Sequence, residues 1–422
     1  MQSKTRLAVT FLAALAAAAL TGPAASAAPS GPHTEKATVA PDGTDGNAGS
    51  SGQSISADGR YLAFVSHADN LVAGDTNGLE DAFVRDLKTG VTRLVSTGED
   101  GNPWHGHVTG VSLSANGRYL AFTSNATYDT ADNQIWIKDL RTGALQRADT
   151  AVDPDAGYVS AGGPALSADG RYLAFVALQS TSEGPAGDRS SRVYRLDRVT
   201  GERVRISQVP GENAWKSAAT SPSISADGNR VGYQFFVPHP ASGDWSDAYV
   251  RDVRSGGLIQ ADKAPDGKVS TAQTEFPQVS ADGRYMVFNS LDSQLTPGDT
   301  NNGHNVFVRD LKTGQVRRID AADPSGFTAY PQLGADSRHL VYVEDADPDH
   351  PSQAYVRDLR TGRTVLASPT VQGGPSGSYG VDFPVIDRDG RTVAFSSWAK
   401  DLVPGDTGEP DYVTHVYVRH LK

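Results

Sequence analysis

The sequence contains no cysteine and only two methionines among its 422 residues. Without thiols no disulfide can staple the chain, no thiolate can serve as nucleophile, and no lipid can be attached to an N-terminal cysteine. A chain of this length buries a sizeable core without staples. Past residue 27 no stretch is apolar enough to cross a membrane, so membrane insertion is not expected. No basic run or basic-aromatic stripe interrupts the acidic balance of −11, and nucleic acid and anionic lipid are poor partners for such a chain. Amphipathic helical periodicity of useful length is missing too. So are the Gly-x-Ser-x-Gly elbow, the His-Glu-x-x-His helix, the Walker loop and the dinucleotide glycine fingerprint.

The one long apolar run stands at the start. Lys4 and Arg6 precede Leu7 to Leu20, and Ala25-Ser26-Ala27 follows. A charged region, a 14-residue apolar region and a small-residue cleavage site describe a signal peptide over residues 1–27, followed by a short disordered linker over 28–32. Removing Lys4 and Arg6 takes the net charge to about −13. The expected location is outside the inner membrane: secreted and extracellular, or periplasmic in a cell with an outer membrane.

What the sequence has in abundance is repetition. The first copy reads Ser54-Ile55-Ser56-Ala57-Asp58-Gly59-Arg60-Tyr61-Leu62-Ala63-Phe64-Val65-Ser66, then Ala82-Phe83-Val84-Arg85-Asp86-Leu87-Lys88-Thr89-Gly90. The Ser-Ala-Asp-Gly turn, intact or degraded, starts at Ser56, Ser114, Ser167, Ser225, Ser280, Gly334 and Asp387, at intervals of 53 to 58 residues. Each unit offers four β-type segments: Ser54 to Ser56, Arg60 to Ser66, Ala82 to Leu87 and Val91 to Ser96. The spacing predicts an all-β, seven-bladed β-propeller over residues 33–422, with four antiparallel strands per blade. The seventh unit ends at its third strand, so residues 33–41 are expected to supply its fourth. Asp45-Gly46-Asn47 after that segment is matched to Asp100-Gly101-Asn102 after the fourth strand of the first unit. Asp86, Asp139, Asp197, Asp252, Asp310 and Asp358 recur once per unit and read as turn-formers.

The unit Ser-x-Ala-Asp-Gly-Arg-Tyr-Leu-Ala-Phe, followed by Phe-Val-Arg-Asp-Leu-x-Thr-Gly, resembles the WD-like propeller repeats of the TolB family over nearly the whole chain past residue 33. The resemblance implies a propeller. TolB itself is a periplasmic partner-binding protein with a further N-terminal domain, and related propellers precede the hydrolase domain of prolyl peptidases.

The two short turns share one face, and the loops of variable length share the other. Function on such a frame belongs to the variable loops and the channel mouth. Candidate ligand-binding residues there are Trp104, His105, His107, Trp215, His239, Trp245, His304, Tyr330, His350, Tyr379 and Trp398. Exposed aromatics suit sugar or peptide, and the same rings could instead cap the space between blades. His105 and His107 could face one side of an extended segment and share a metal, or be ordinary surface histidines. A Gly-Asp-Thr motif recurs in three loops. Its oxygens, on Asp75, Asn77, Asp81, Asp299, Asn301 and Asp406, resemble calcium-loop chemistry or, more simply, Asx turns. No other cofactor is expected. With no catalytic signature in view, the expected function is a monomeric, non-catalytic scaffold that binds a protein or glycan through its loop face. The alternative is a propeller enzyme acting on polysaccharide, a lyase or glycosidase, at the channel mouth.

Overall fold

The computed structural model describes residues 31–125, 132–149, 157–180, 189–209, 218–239, 243–270, 272–299, 303–322, 326–345, 351–377, 379–406 and 413–422. The chain forms seven four-stranded antiparallel sheets, one per sequence unit. We number these blades 1 to 7 and letter their strands a to d in pairing order. In blade 1 the strands are a (Ser50–Ile55), b (Tyr61–Ser66), c (Asp81–Asp86) and d (Val91–Leu94). The a strands of blades 2 to 7 are Val108–Leu113, Gly157–Leu166, Ala218–Ile224, Thr274–Val279, Phe327–Leu333 and Val381–Ile386. Each a strand touches the a strand of the next blade, and that of blade 7 touches that of blade 1, so these strands surround the axis in a complete circle.

Two devices close the ring. The first is the expected use of the amino end. His33–Lys36 pairs antiparallel with the c strand of blade 7, His415–His420, in the register Lys36↔Tyr417, and so acts as its d strand. The second is a belt of contacts between the Ser-Ala-Asp-Gly turns. The amide of Ala57 donates to the Ala115 carbonyl at 2.9 Å, Asn116 to Ala168 at 3.2 Å, Ala168 to Ala226 at 3.2 Å and Ala226 to Ala281 at 2.8 Å. Asp282 N donates to Ser337 Oγ at 3.4 Å, Asp336 N to the Arg388 carbonyl at 3.2 Å, and Arg388 N to Ala57 O at 3.0 Å, which completes the belt.

The repeat motif explains itself in space. Ser56 Oγ donates to Asp58 at 2.6 Å and accepts from Tyr61 N at 2.9 Å, fixing the a–b turn. The glycine after this aspartate has positive φ, 74° at Gly170, and a Cβ there would sit 2.4 Å from the Tyr119 ring of the preceding blade. Turn conformation and blade packing therefore both demand glycine. Between b and c strands, stacked aromatic pairs recur, with ring centroids 5.7 Å apart for Phe64–Phe83, 5.8 Å for Phe288–Phe307 and 6.0 Å for Phe395–Tyr417. The core lies between blades: Phe64 and Phe83 of blade 1 pack with Val385, Ala394 and Val416 of blade 7.

Three details differ from the sequence reading. The a strand begins at Ser50 rather than Ser54, because a bulge after Ser51 breaks the alternation by which a strand is recognised. The equivalent of Asp100-Gly101-Asn102 is Asp42-Gly43-Thr44. Val39 bridges Asp45 as Thr97 bridges Pro103, and Asp42 Oδ1 accepts the Thr44 amide at 3.0 Å, as Asp100 accepts that of Asn102 at 3.1 Å. The recurrent c–d aspartates do form turns, since Asp86 accepts the Lys88 amide at 3.1 Å, but each also holds an arginine, from the residue after the turn glycine or its equivalent in five blades and from the next residue, Arg230, in blade 4. Arg60–Asp86, Arg118–Asp139 and Arg171–Asp197 all meet at 2.7 Å, Arg284–Asp310 at 2.8 Å and Arg230–Asp252 at 3.5 Å, and Arg338 pairs with Asp358. Residues 1–27 and most of 28–32 lie outside the described residues, and among the described residues no helix is long and apolar enough to cross a membrane.

Candidate functional site

Every a strand carries a bulge near its loop-face end. In six blades the first bulged residue has positive φ: Gly52, Gly163, Ser221, Phe276, Tyr330 and Phe383. In five of the six a proline follows. A side chain in the left-handed region is costly, and a following proline disfavours helical backbone further. Repetition of this strain at one level of the axis marks a layer whose side chains are held by the frame around them.

That layer is lopsided. Blades 1 and 3 place Gly52 and Gly163 in it, and blade 4 places Ser221. Blades 5, 6 and 7 place Phe276, Tyr330 and Phe383, whose rings touch at centroid distances of 4.9 Å (276–330), 4.7 Å (330–383) and 6.4 Å (276–383). The result is an aromatic wall along one side of the channel mouth, with Phe383 48% exposed. Gln53 of blade 1 braces it from the far side of the seam, donating to the carbonyl of Phe383 at 2.7 Å and of Asp382 at 3.3 Å.

Acids flank the wall. Glu275 precedes Phe276 and Asp382 precedes Phe383 in their strands. Burial pushes the Asp382 carboxyl above the usual carboxylate range. The Tyr330 hydroxyl is raised by burial first, then by the negative charges of Asp382 and Glu275. Both carboxylates thus bear on the same phenol. Glu275 also lies 3.9 Å from His304 Nδ1 and accepts Gln273 Nε2 at 2.7 Å. Below the layer, on the side of the short turns, the channel holds a cavity of about 680 Å³ lined by all seven blades, including Ser54, Leu113, Pro164, Pro222, Gln278 and Gln332. A larger cleft of about 860 Å³ lies on the turn side between blades 5 and 6. Three of its four arginines are engaged: Arg284 with Asp310, Arg338 with Asp358, and Arg317 with the Leu359 carbonyl.

Of the residues singled out from sequence, Tyr330 and His304 come to this mouth. Trp104 packs on blade 2, edge-on to Trp136 at 4.7 Å and Phe122 at 6.4 Å. Tyr379 packs against the core shared by blades 6 and 7. Trp398 is 40% exposed on the b–c loop of blade 7. His105 is exposed, while His107 Nδ1 sits 3.7 Å from Glu80. Trp215, His350 and Asn301 lie outside the described residues, as do the side chains of His239 and Trp245. In the Gly-Asp-Thr loops, Asp299 pairs with Arg318 at 2.6 Å and Asp406 with Lys36 at 3.1 Å, whereas Asn77 donates to Asp81 at 2.7 Å. Among the described residues no three carboxylates or imidazoles converge as a metal site. Phe276, Phe383, Glu275 and Asp382 were not singled out beforehand. Their signal was present as an aromatic-proline pair shortly before the Ser-Ala-Asp-Gly turn.

No family model matches the chain, and no curated protein matches it. Solved structures do. An oligogalacturonate lyase in complex with manganese matches with 16% identity over 92% of this chain and 93% of its own, at a TM-score of 0.59. A second oligogalacturonate lyase, from Vibrio parahaemolyticus, matches over 93% and 97% at 0.57, with 15% identity. The propeller domain of the Trilobed protease from Pyrococcus furiosus matches over 89% and 95% at 0.55, with 16% identity. TolB from Acinetobacter baumannii is matched at 0.42 with 17% identity over 81% and 76%. At these identities the likeness is one of fold.

Proposed function

We propose that the chain is a propeller enzyme that cleaves polysaccharide at the loop-face mouth of its channel, with Asp382 and Glu275 as its carboxyl pair. The expectation of a non-catalytic scaffold is corrected by the comparisons. The two lyases are matched over more than nine-tenths of both chains, so the frame this chain possesses is one on which enzymes are built. The supporting observation within the chain is the meeting of an aromatic wall with two acids in one strained layer.

The chemistry follows from those residues. Aromatic faces stack against the C–H faces of sugars. Burial raises the proton affinity of the Asp382 carboxyl, which suits it to donate a proton to a glycosidic oxygen, while a second carboxylate acts as base or nucleophile. The acids make the mouth a poor host for a polyuronate unless a cation intervenes. Among the described residues the donors for an ion such as the manganese named with the lyase do not come together. An uncharged glycan and hydrolysis therefore fit these residues better than elimination from an anionic one. Export from the cytoplasm, read from residues 1–27, would put such an enzyme where polysaccharide is met.

The test is a panel of neutral glycans and pectate. Hydrolysis releases reducing ends without ultraviolet absorbance. Elimination creates an unsaturated product that absorbs. Release from neutral glycans without absorbance is the expected result, and no product from any glycan overturns the reading.

A further inference from the structure

The three Gly-Asp-Thr loops can be compared position by position through strand register. In blade 5, Arg318 stands opposite Phe307 and reaches Asp299 at 2.6 Å. In blade 7, Lys36 stands opposite Tyr417 and reaches Asp406 at 3.1 Å. The same place in blade 1, opposite Phe83, is held by Leu94. Two loops thus carry their own cation on the motif aspartate, delivered from one position of the d strand. The third carries a hydrocarbon there.

Blade 1 is also the loop with more negative charge. Where blade 5 has Asn305 six residues after Asp299, blade 1 has Asp81 six residues after Asp75. Asp75 is 8% exposed, and its Oδ1 is buried without a hydrogen-bond partner. Asp81 is fully buried. One of its oxygens accepts Asn77 Nδ2 at 2.7 Å and the other the hydroxyl of Ser96. The two carboxylates repel each other through low-dielectric surroundings, and His67 and Asp69 are the other charged groups that bear on Asp75. No lysine or arginine lies within ion-pair distance of Asp75 or Asp81 among the described residues. A buried carboxylate with an idle oxygen is expensive unless something positive meets it.

We propose that blade 1 binds one small hard cation of the calcium class between Asp75 and Asp81, in the role that the Arg318 and Lys36 side chains fill in blades 5 and 7. Calcium takes oxygen ligands in flexible geometry, including carboxylates, amide and backbone carbonyls and water. The site is structural, joins the b–c loop to the c strand, and is independent of the channel mouth.

Thermal unfolding of the full chain in EDTA and in calcium, at constant ionic strength, tests it, with sodium and magnesium alongside. Calcium at a hundred times its Kd should raise the folded-to-unfolded ratio about a hundredfold. Leu94→Arg, which copies blade 5, should melt higher in EDTA and lose most of the calcium response. Asp75→Asn should lose the response as well. Terbium bound to the wild-type chain should give tryptophan-sensitised luminescence that calcium displaces. Trp104, whose carbonyl accepts Asn77 Nδ2 at 2.8 Å, stands beside the loop. A wild-type melting curve indifferent to calcium, or a calcium response in Leu94→Arg equal to that of the wild type, overturns the proposal. Terbium luminescence serves as the deciding readout should a variant fail to fold.

Discussion

Lys36→Met removes the charge that fastens the first strand of the folded chain to the last blade. Lys36 Nζ lies 2.7 Å from Asp45 and 3.1 Å from Asp406, with 6% of the lysine side chain and 5% of the Asp406 side chain exposed. Methionine keeps the length of the stem, so packing against Tyr417 is retained and the loss is electrostatic. Asp406 is then left with the Tyr417 hydroxyl at 3.0 Å as its partner. Removing one member of a buried pair costs roughly 3–5 kcal/mol, because the other charge stays buried. For a propeller of roughly 390 residues the entropy of unfolding is about 0.8 kcal/mol per kelvin, so the expected drop in melting temperature is about 4–6 °C. A double-mutant cycle with Asp406→Asn isolates the pair, and a coupling energy of about 2 kcal/mol or more is expected. A Lys36→Met variant that melts within 1 °C of wild type, with no coupling, would refute the view that this ammonium locks the ring.

Gly170→Ala combines positive φ with a Cβ driven into the Tyr119 ring, and should destabilise by about 2–3 kcal/mol in equilibrium unfolding. Phe383→Ala, at an exposed site, should leave the melting temperature nearly unchanged while raising KM for the glycan about tenfold. The Asp81 carboxyl, pushed up to about 6 by burial, binds its proton more tightly folded than unfolded. Without calcium, stability should therefore fall as pH rises from about 4 to 6, by at most about 3 kcal/mol. Calcium should flatten that slope, as urea titrations at each pH would show.

The fold was legible because its unit repeats. Seven Ser-Ala-Asp-Gly turns at near-even spacing, and a final unit short of one strand, dictate the number of sheets and the use of the amino end. Local details escaped where two signals overlapped. The bulge after Ser51 hid half of the inner strand, and two Asp-Gly pairs three residues apart, at Asp42 and Asp45, offered two alignments of which geometry selects the first. The site was harder. Tyr330 was marked as one aromatic among many, but nothing local says that Phe276, Tyr330 and Phe383 meet, because they are separated by more than fifty residues and joined only by the rotation of the ring. Trp104 shows the converse, an aromatic on a variable loop whose ring packs onto the aromatics of blade 2 instead of facing the mouth.

The most direct test of the channel-mouth assignment is a crystal structure of Asp382→Asn soaked with an oligosaccharide that the wild-type enzyme cleaves. The substitution should lower kcat by a hundredfold or more while preserving the fold. The density should show a sugar ring against Tyr330 and Phe383, with its glycosidic oxygen within hydrogen-bond reach of residue 382. A fully active variant, or an oligosaccharide bound in the turn-side cleft between blades 5 and 6, would contradict the account.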